Sequence, residues 1–100
     1  MDVRFATVEL EKRYRSNADA RKAWGEKIAR RYVRRVDALY EAETMKDLAA
    51  LRSLRLHPLK GTRRGQHAIN LDGAWRLVVR FEGERLTIVR VEEVSKHYGD

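Results

Sequence analysis

His57, Lys60, Arg76, Arg80 and His97 are side chains in this sequence whose types could do chemistry on a phosphate ester. An imidazole can take or give a proton near neutral pH, because the unperturbed ring titrates at about 6.5. Ammonium and guanidinium groups neutralise charge on phosphate oxygens, the guanidinium through paired hydrogen bonds. Tyr98 adds a phenol beside His97. His57 and Lys60 belong to the stretch RLHPLKGTRRGQ, Arg55 to Gln66, which also holds Arg63, Arg64, two glycines and the chain's one proline. A residue before proline is pushed out of the helical region, so His57-Pro58 is expected to be extended and to present the imidazole. Gly61 and Gly65 then bracket a basic turn. A solvated surface loop and a phosphate-handling site are both open readings of that turn.

The chain's charge favours the second. Its 22 lysines and arginines against 15 acidic residues give +7 and a pI near 10.1, which points to a polyanionic partner, most often nucleic acid. The charge is also segregated. Lys12 to Arg35 contains ten basic and two acidic residues, and Arg52 to Arg80 contains seven basic residues and one acidic residue, Asp72. Arg30, Arg31, Arg34, Arg63, Arg64 and Arg80 are therefore candidate RNA contacts, with a solvated helix or sheet face as the plainer alternative.

One hundred residues suit a single domain, 1–100. No apolar run approaches the roughly 18 residues of a membrane span, and no signal-peptide segment opens the chain, so a cytoplasmic location fits. With no cysteine and only three histidines, neither thiolate chemistry, a metal site nor a cofactor is expected. There is no Gly-rich nucleotide loop, no Ser-His-Asp arrangement and no carboxylate pair, which argues against the usual hydrolases.

The elements that would position these groups follow from periodicity. Val3 to Ala6 predicts a short strand, and Thr7 an N-cap for a helix over Val8 to Arg15. Ser16 or Asn17 interrupts, and a long helical pattern begins near Ala18. Trp24, Ile28, Tyr32, Val36 and Tyr40 recur every four residues, with Leu39 beside them, which predicts one buried face. Arg30, Arg31, Arg34 and Arg35 fall on or near the opposite side. Gly25 costs about 1 kcal/mol in a helix relative to alanine and admits a break there. A short helix is expected over Met45 to Leu51. After Arg52 the period becomes strand-like: Gln66 to Leu71, a turn at Asp72-Gly73, Trp75 to Phe81, a turn at Gly83, and Leu86 to Val94. Trp75, Leu77, Val79 and Phe81 face one way, and Arg76, Val78 and Arg80 the other. The expected fold is α+β, two to three N-terminal helices packed on an antiparallel meander.

Arg55-Leu56-His57-Pro58-Leu59-Lys60-Gly61, then Arg64-Gly65-Gln66, then Trp75-Arg76-Leu77, resembles the HigB-type branch of the RelE/ParE toxin superfamily. The resemblance covers nearly the whole chain. It implies the toxin of a type II toxin–antitoxin pair, with a HigA-type antitoxin, the ribosome and mRNA as partners, assembly into an oligomer with the antitoxin, and mRNA cutting in the ribosomal A site. By matching position, His57, Lys60, Arg76 and His97 correspond to active-site residues. The sequence departs from the family at Thr62, where an aspartate is usual, at His67, where a tryptophan is common, and at Ser95 and Lys96, which replace Asp and Tyr. Tyr98 is the candidate to supply the missing phenol.

Cleavage of RNA by its own 2′-hydroxyl needs a base, an acid for the departing 5′-oxygen, and cations for the phosphorane. None of these is a metal. Arg76, Lys60 and Arg80 suit the charge, and His57 and His97 the proton transfers, with acid and base unassigned. A ParE-like toxin that blocks DNA gyrase by binding is the alternative.

Overall fold

The structure, a computed structural model, describes residues 1–96. His97 and Tyr98 lie outside the described residues. The chain opens with strand β1 (Asp2–Phe5), and Thr7 then caps helix α1 (Val8–Arg15), its hydroxyl accepting from Leu10 N at 3.1 Å. Ser16 ends α1 and caps α2 (Asn17–Trp24). Gly25, at φ +84°, breaks the long helical pattern, so α3 runs separately over Glu26–Glu41. Thr44 and Asp47 form a capping box at the start of α4 (Met45–Ala50). Four helices therefore precede the main strands, because the single long pattern divides at Gly25.

The buried face of α3 carries Ile28, Tyr32, Val36 and Leu39. Tyr40, expected on that face, is 41% exposed. Each four-residue step advances about 40° around a helix, so a strict i+4 series drifts off the core and Leu39 takes the inward position. Tyr40 instead stacks on Tyr14, centroids 5.7 Å apart, and Tyr14 stacks on Phe5. Buried Tyr32 donates its hydroxyl to the Leu10 carbonyl at 2.7 Å, tying α3 to α1.

Strands β2 (His57–Pro58), β3 (His67–Asp72), β4 (Trp75–Glu82) and β5 (Ile88–Lys96) complete a five-stranded sheet in the order β1-β5-β4-β3-β2. β2 to β5 pair antiparallel as a meander, and β1 joins β5 in parallel, Asp2 opposite Ile88 and Phe5 opposite Val91. The sheet is thus mixed. The hairpin between β3 and β4 turns on Gly73-Ala74, one residue later than expected, because Asp72 pairs with Trp75. Ile69, Leu71, Leu77, Val79, Val89 and Val91 pack under the helices, with Trp75 and Phe81 partly buried on the same side. The opposite face carries a small second cluster, Leu59 over Ala68 and Val78.

Candidate active site

A backbone turn sets the first group. Arg52–Leu54 form one 3-10 turn, and Arg55 follows in the left-handed region at φ +50°. That conformation brings the Arg55 carbonyl to 2.8 Å from His57 Nδ1. A carbonyl only accepts, so Nδ1 carries the proton and donates. Neutral His57 therefore keeps its lone pair on Nε2, the form a general base needs. The His57-Pro58 step is extended as expected and forms the edge strand β2, where a proline without an N–H does no harm.

Arg76 is placed by the alternation of β4. Asn70, Arg76 and Ser95 occupy one row across β3, β4 and β5 on the face away from the helices, and Arg76 Nε donates to Ser95 Oγ at 3.4 Å. Its neighbours on that face are differently placed. Arg4 pairs with Asp2, Arg90 with Glu82, Arg80 with Glu92 and Arg63 with Glu93. Among the described residues of this face, Arg76 is the guanidinium held by a hydroxyl and by no carboxylate. No carboxylate among the described residues neutralises its charge.

The structure brings these two groups together. Arg55, His57, Asn70, Gly73, Ala74, Trp75 and Arg76 line one open cleft of about 210 Å³ at the hairpin end of the sheet. Asn70 and Arg55 do not stand out as site residues in the sequence. Asn70 enters because the hairpin register sets it opposite Arg76, and Arg55 because of a backbone conformation that no local pattern announces. Lys60 is exposed at the start of the Gly61–Arg63 turn and is not among the cleft's lining residues. Arg64 is exposed on the same turn.

The basic helix face divides in two. Arg34 is exposed, and Arg30 pairs with Glu26 one turn away. Arg31 and Arg35, expected on or near the solvent side, lean on the sheet edge. Arg31 Nη1 donates to the Leu71 carbonyl at 3.1 Å and Arg35 Nε to the Asn70 carbonyl at 3.0 Å, while Lys27 Nζ lies 3.7 Å from Asp72. Three cations spaced four apart thus grip three consecutive residues of β3 where β2 no longer covers its edge. Burial, with Arg31 and Arg34 nearby, lowers the Arg35 pKa.

His67 sits on the helix side of β3, edge-on to Phe81 with centroids 5.2 Å apart, and its buried Nδ1 has no hydrogen-bond partner among the described residues. Burial, and secondarily the His57 charge, lower its pKa. It is a neutral packing residue at neutral pH, next to the site but on the other side of the sheet.

A base-competent imidazole and an unneutralised guanidinium in one cleft can bind a phosphodiester and move a proton beside it. The described residues contain no group of three His, Asp or Glu side chains fit to hold a metal ion.

Comparison with solved structures gives the same fold. A YoeB/ParE toxin from Agrobacterium tumefaciens superposes with a TM-score of 0.59 at 17% identity, over 98% of this chain and 100% of the other. YafQ from E. coli gives 0.57 at 16% identity, over 95% and 91%. The YoeB-YefM complex from Staphylococcus aureus gives 0.56 at 15% identity, over 98% of both. No curated protein sequence matches the chain. No helix among the described residues is long and apolar enough to cross a membrane. A family model described as the RelE-like toxin of the type II toxin–antitoxin system HigB matches residues 3–92, and the chain belongs to that family.

Proposed function

We propose that this toxin is a ribosome-dependent mRNA endoribonuclease that works without a metal, through the 2′-hydroxyl of its substrate. The observation that carries the reading is the pairing of His57, its Nε2 free to accept a proton, with Arg76, its charge unneutralised, in one cleft. His57 takes the 2′-hydroxyl proton, and the 2′-oxygen attacks the adjacent phosphorus. Arg76 and Lys60 stabilise the charge that builds on the phosphorane. The P–O5′ bond breaks, and the 5′-oxygen leaves with a proton from an acid, for which His97 and Tyr98 are the candidates. The products are a 2′,3′-cyclic phosphate and a 5′-hydroxyl.

The ribosome is the natural platform for so small a set of groups. Arg30, Arg34 and Arg64, exposed on two basic surfaces, suit phosphate contacts that are salt-sensitive and blind to sequence. The site of action is then cytoplasmic. Membership in a type II family, and a structural neighbour solved as YoeB-YefM, support a small antitoxin of HigA type as the inhibiting partner and an oligomer formed with it.

Primer extension on a defined message bound to purified ribosomes, in EDTA, tests the reading. Discrete cuts in the A site that are absent on free message are the expected result. An intact message would refute it and direct attention to DNA gyrase.

A further inference from the structure

Glu92 and Glu93 stand together on the open face because β5 carries an extra residue there. Val78 pairs with Glu93 and Val79 with Val91, so Glu92 and Glu93 together oppose a single step of β4. Regular alternation would send one of the two carboxylates to the helix-packed side. Instead Glu92 accepts from Arg80 Nε at 3.0 Å, and Glu93 pairs with Arg63. Each pair reaches the turn that follows β2. Arg63 lies in it and also donates Nη1 to Gln66 Oε1 at 3.1 Å. The Arg80 guanidinium lies against Gly65, where an added Cβ would stand 2.6 Å from Nη1. The turn's ends are joined by Leu59 N donating to the Gln66 carbonyl at 2.9 Å, and buried Leu59 anchors it over Ala68 and Val78.

Lys60 is the exposed cation at the head of this turn. We propose that Glu92 and Glu93, set side by side by the bulge, are positioning residues for Lys60. Through Arg80 and Arg63 they hold the Lys60–Gln66 turn on the open face and deliver the ammonium toward the cleft of His57 and Arg76. Arg63 and Arg80 are then parts of the clamp, not RNA contacts. The inference rests on the nuclease reading of the site.

The test is a double-mutant cycle read on ribosome-bound message, with amide hydrogen exchange of residues 61–66 as a readout independent of activity. Glu93→Lys sets a cation against Arg63. It is expected to lower kcat about tenfold with KM little changed, as a displaced catalytic group does. In a Lys60→Ala background the same change is expected to cost nothing more, because it acts through Lys60. Adding Arg63→Glu to Glu93→Lys restores an ion pair and is expected to recover kcat to within about twofold. Exchange in the turn should quicken in Glu93→Lys and slow again in the swapped pair.

Additive losses in the Lys60→Ala background, or turn exchange unchanged by Glu93→Lys, would overturn the proposal. A wild-type protein that cuts no message would overturn the nuclease reading and the delivery of Lys60 with it. The exchange data would still report whether the clamp exists.

Discussion

His57 Nδ1 lies 2.8 Å from the carbonyl oxygen of Arg55, and this contact decides which ring nitrogen can act as a base. The contact exists because Arg55 takes a left-handed conformation, φ +50°, that residues other than glycine seldom adopt. Strain of this kind persists where the surrounding structure holds it, and it clusters at functional sites. In this chain Arg55 N donates to the Arg52 carbonyl at 3.1 Å, and the 3-10 turn Arg52–Leu54 that it closes is anchored by buried Leu54.

His57→Ala is expected to lower kcat by about 10²–10⁴-fold, the usual contribution of a general acid or base. KM should change little, since the proton transfer belongs to the transition state. His57 is exposed, so the thermal midpoint should stay close to that of the wild type. Single-turnover cleavage on saturating ribosome–mRNA complex, with a melting curve for each protein, checks both parts.

Arg76→Ala is expected to cost about 10²–10³-fold in kcat, as loss of a preorganised charge-stabilising donor does. Arg76→Lys should recover only part of it, because a point charge cannot reproduce the guanidinium's two-pronged hydrogen bonding. Its one described hydrogen bond, 3.4 Å to the Ser95 hydroxyl, contributes little to folding. Equal rates for Arg76→Ala and wild type would remove it from the site.

Arg31 and Arg34 are neighbours in the basic stripe with different expected roles. Arg31→Ala leaves the Leu71 carbonyl without its donor at the sheet edge and should cost about 1 kcal/mol. That corresponds to a fall of about 4–8 °C in the melting temperature of a domain this size. Arg34→Ala should leave the melting temperature alone and reduce the salt dependence of ribosome binding by about one phosphate contact. Melting curves and a salt titration of binding separate the two.

Burial holds the folded-state pKa of His67 below its ordinary value of 6.5. The unfolded chain then binds more protons than the folded one as pH falls through 6.5 toward the folded pKa. Stability should therefore drop across that window and be fully present above it. His67→Phe removes both the titration and the unpartnered Nδ1, so its melting temperature should fall less between pH 7.5 and pH 5. Parallel slopes for the two proteins would contradict this.

Much of the fold is legible in the sequence because local chemistry and global packing agree. Thr7 caps where its residue type and place predict a cap, Gly25 breaks the helix where its cost is felt, and Trp75, Leu77, Val79 and Phe81 face the helices as their alternation requires. What stays hidden depends on long-range pairing. A four-residue β1 does not announce which edge it joins or in which direction. His57 and Arg76 stand out as candidates, but their meeting depends on the hairpin register. The bulge at Glu92 and Glu93 breaks the alternation from which faces are read, so neither carboxylate stands out. Arg31 and Arg35 look like surface charge until the unpaired carbonyls of β3 come into view beside them.

The most direct test of cleavage through the 2′-hydroxyl is mass spectrometry of the upstream fragment's 3′ end after reaction on ribosome-bound message. A 2′,3′-cyclic phosphate is expected, with no fragment when the nucleotide at the cut carries a 2′-deoxy sugar. A 3′-hydroxyl end, or unchanged cutting of the 2′-deoxy substrate, would contradict His57 as the base and Arg76 as the cation of the phosphorane.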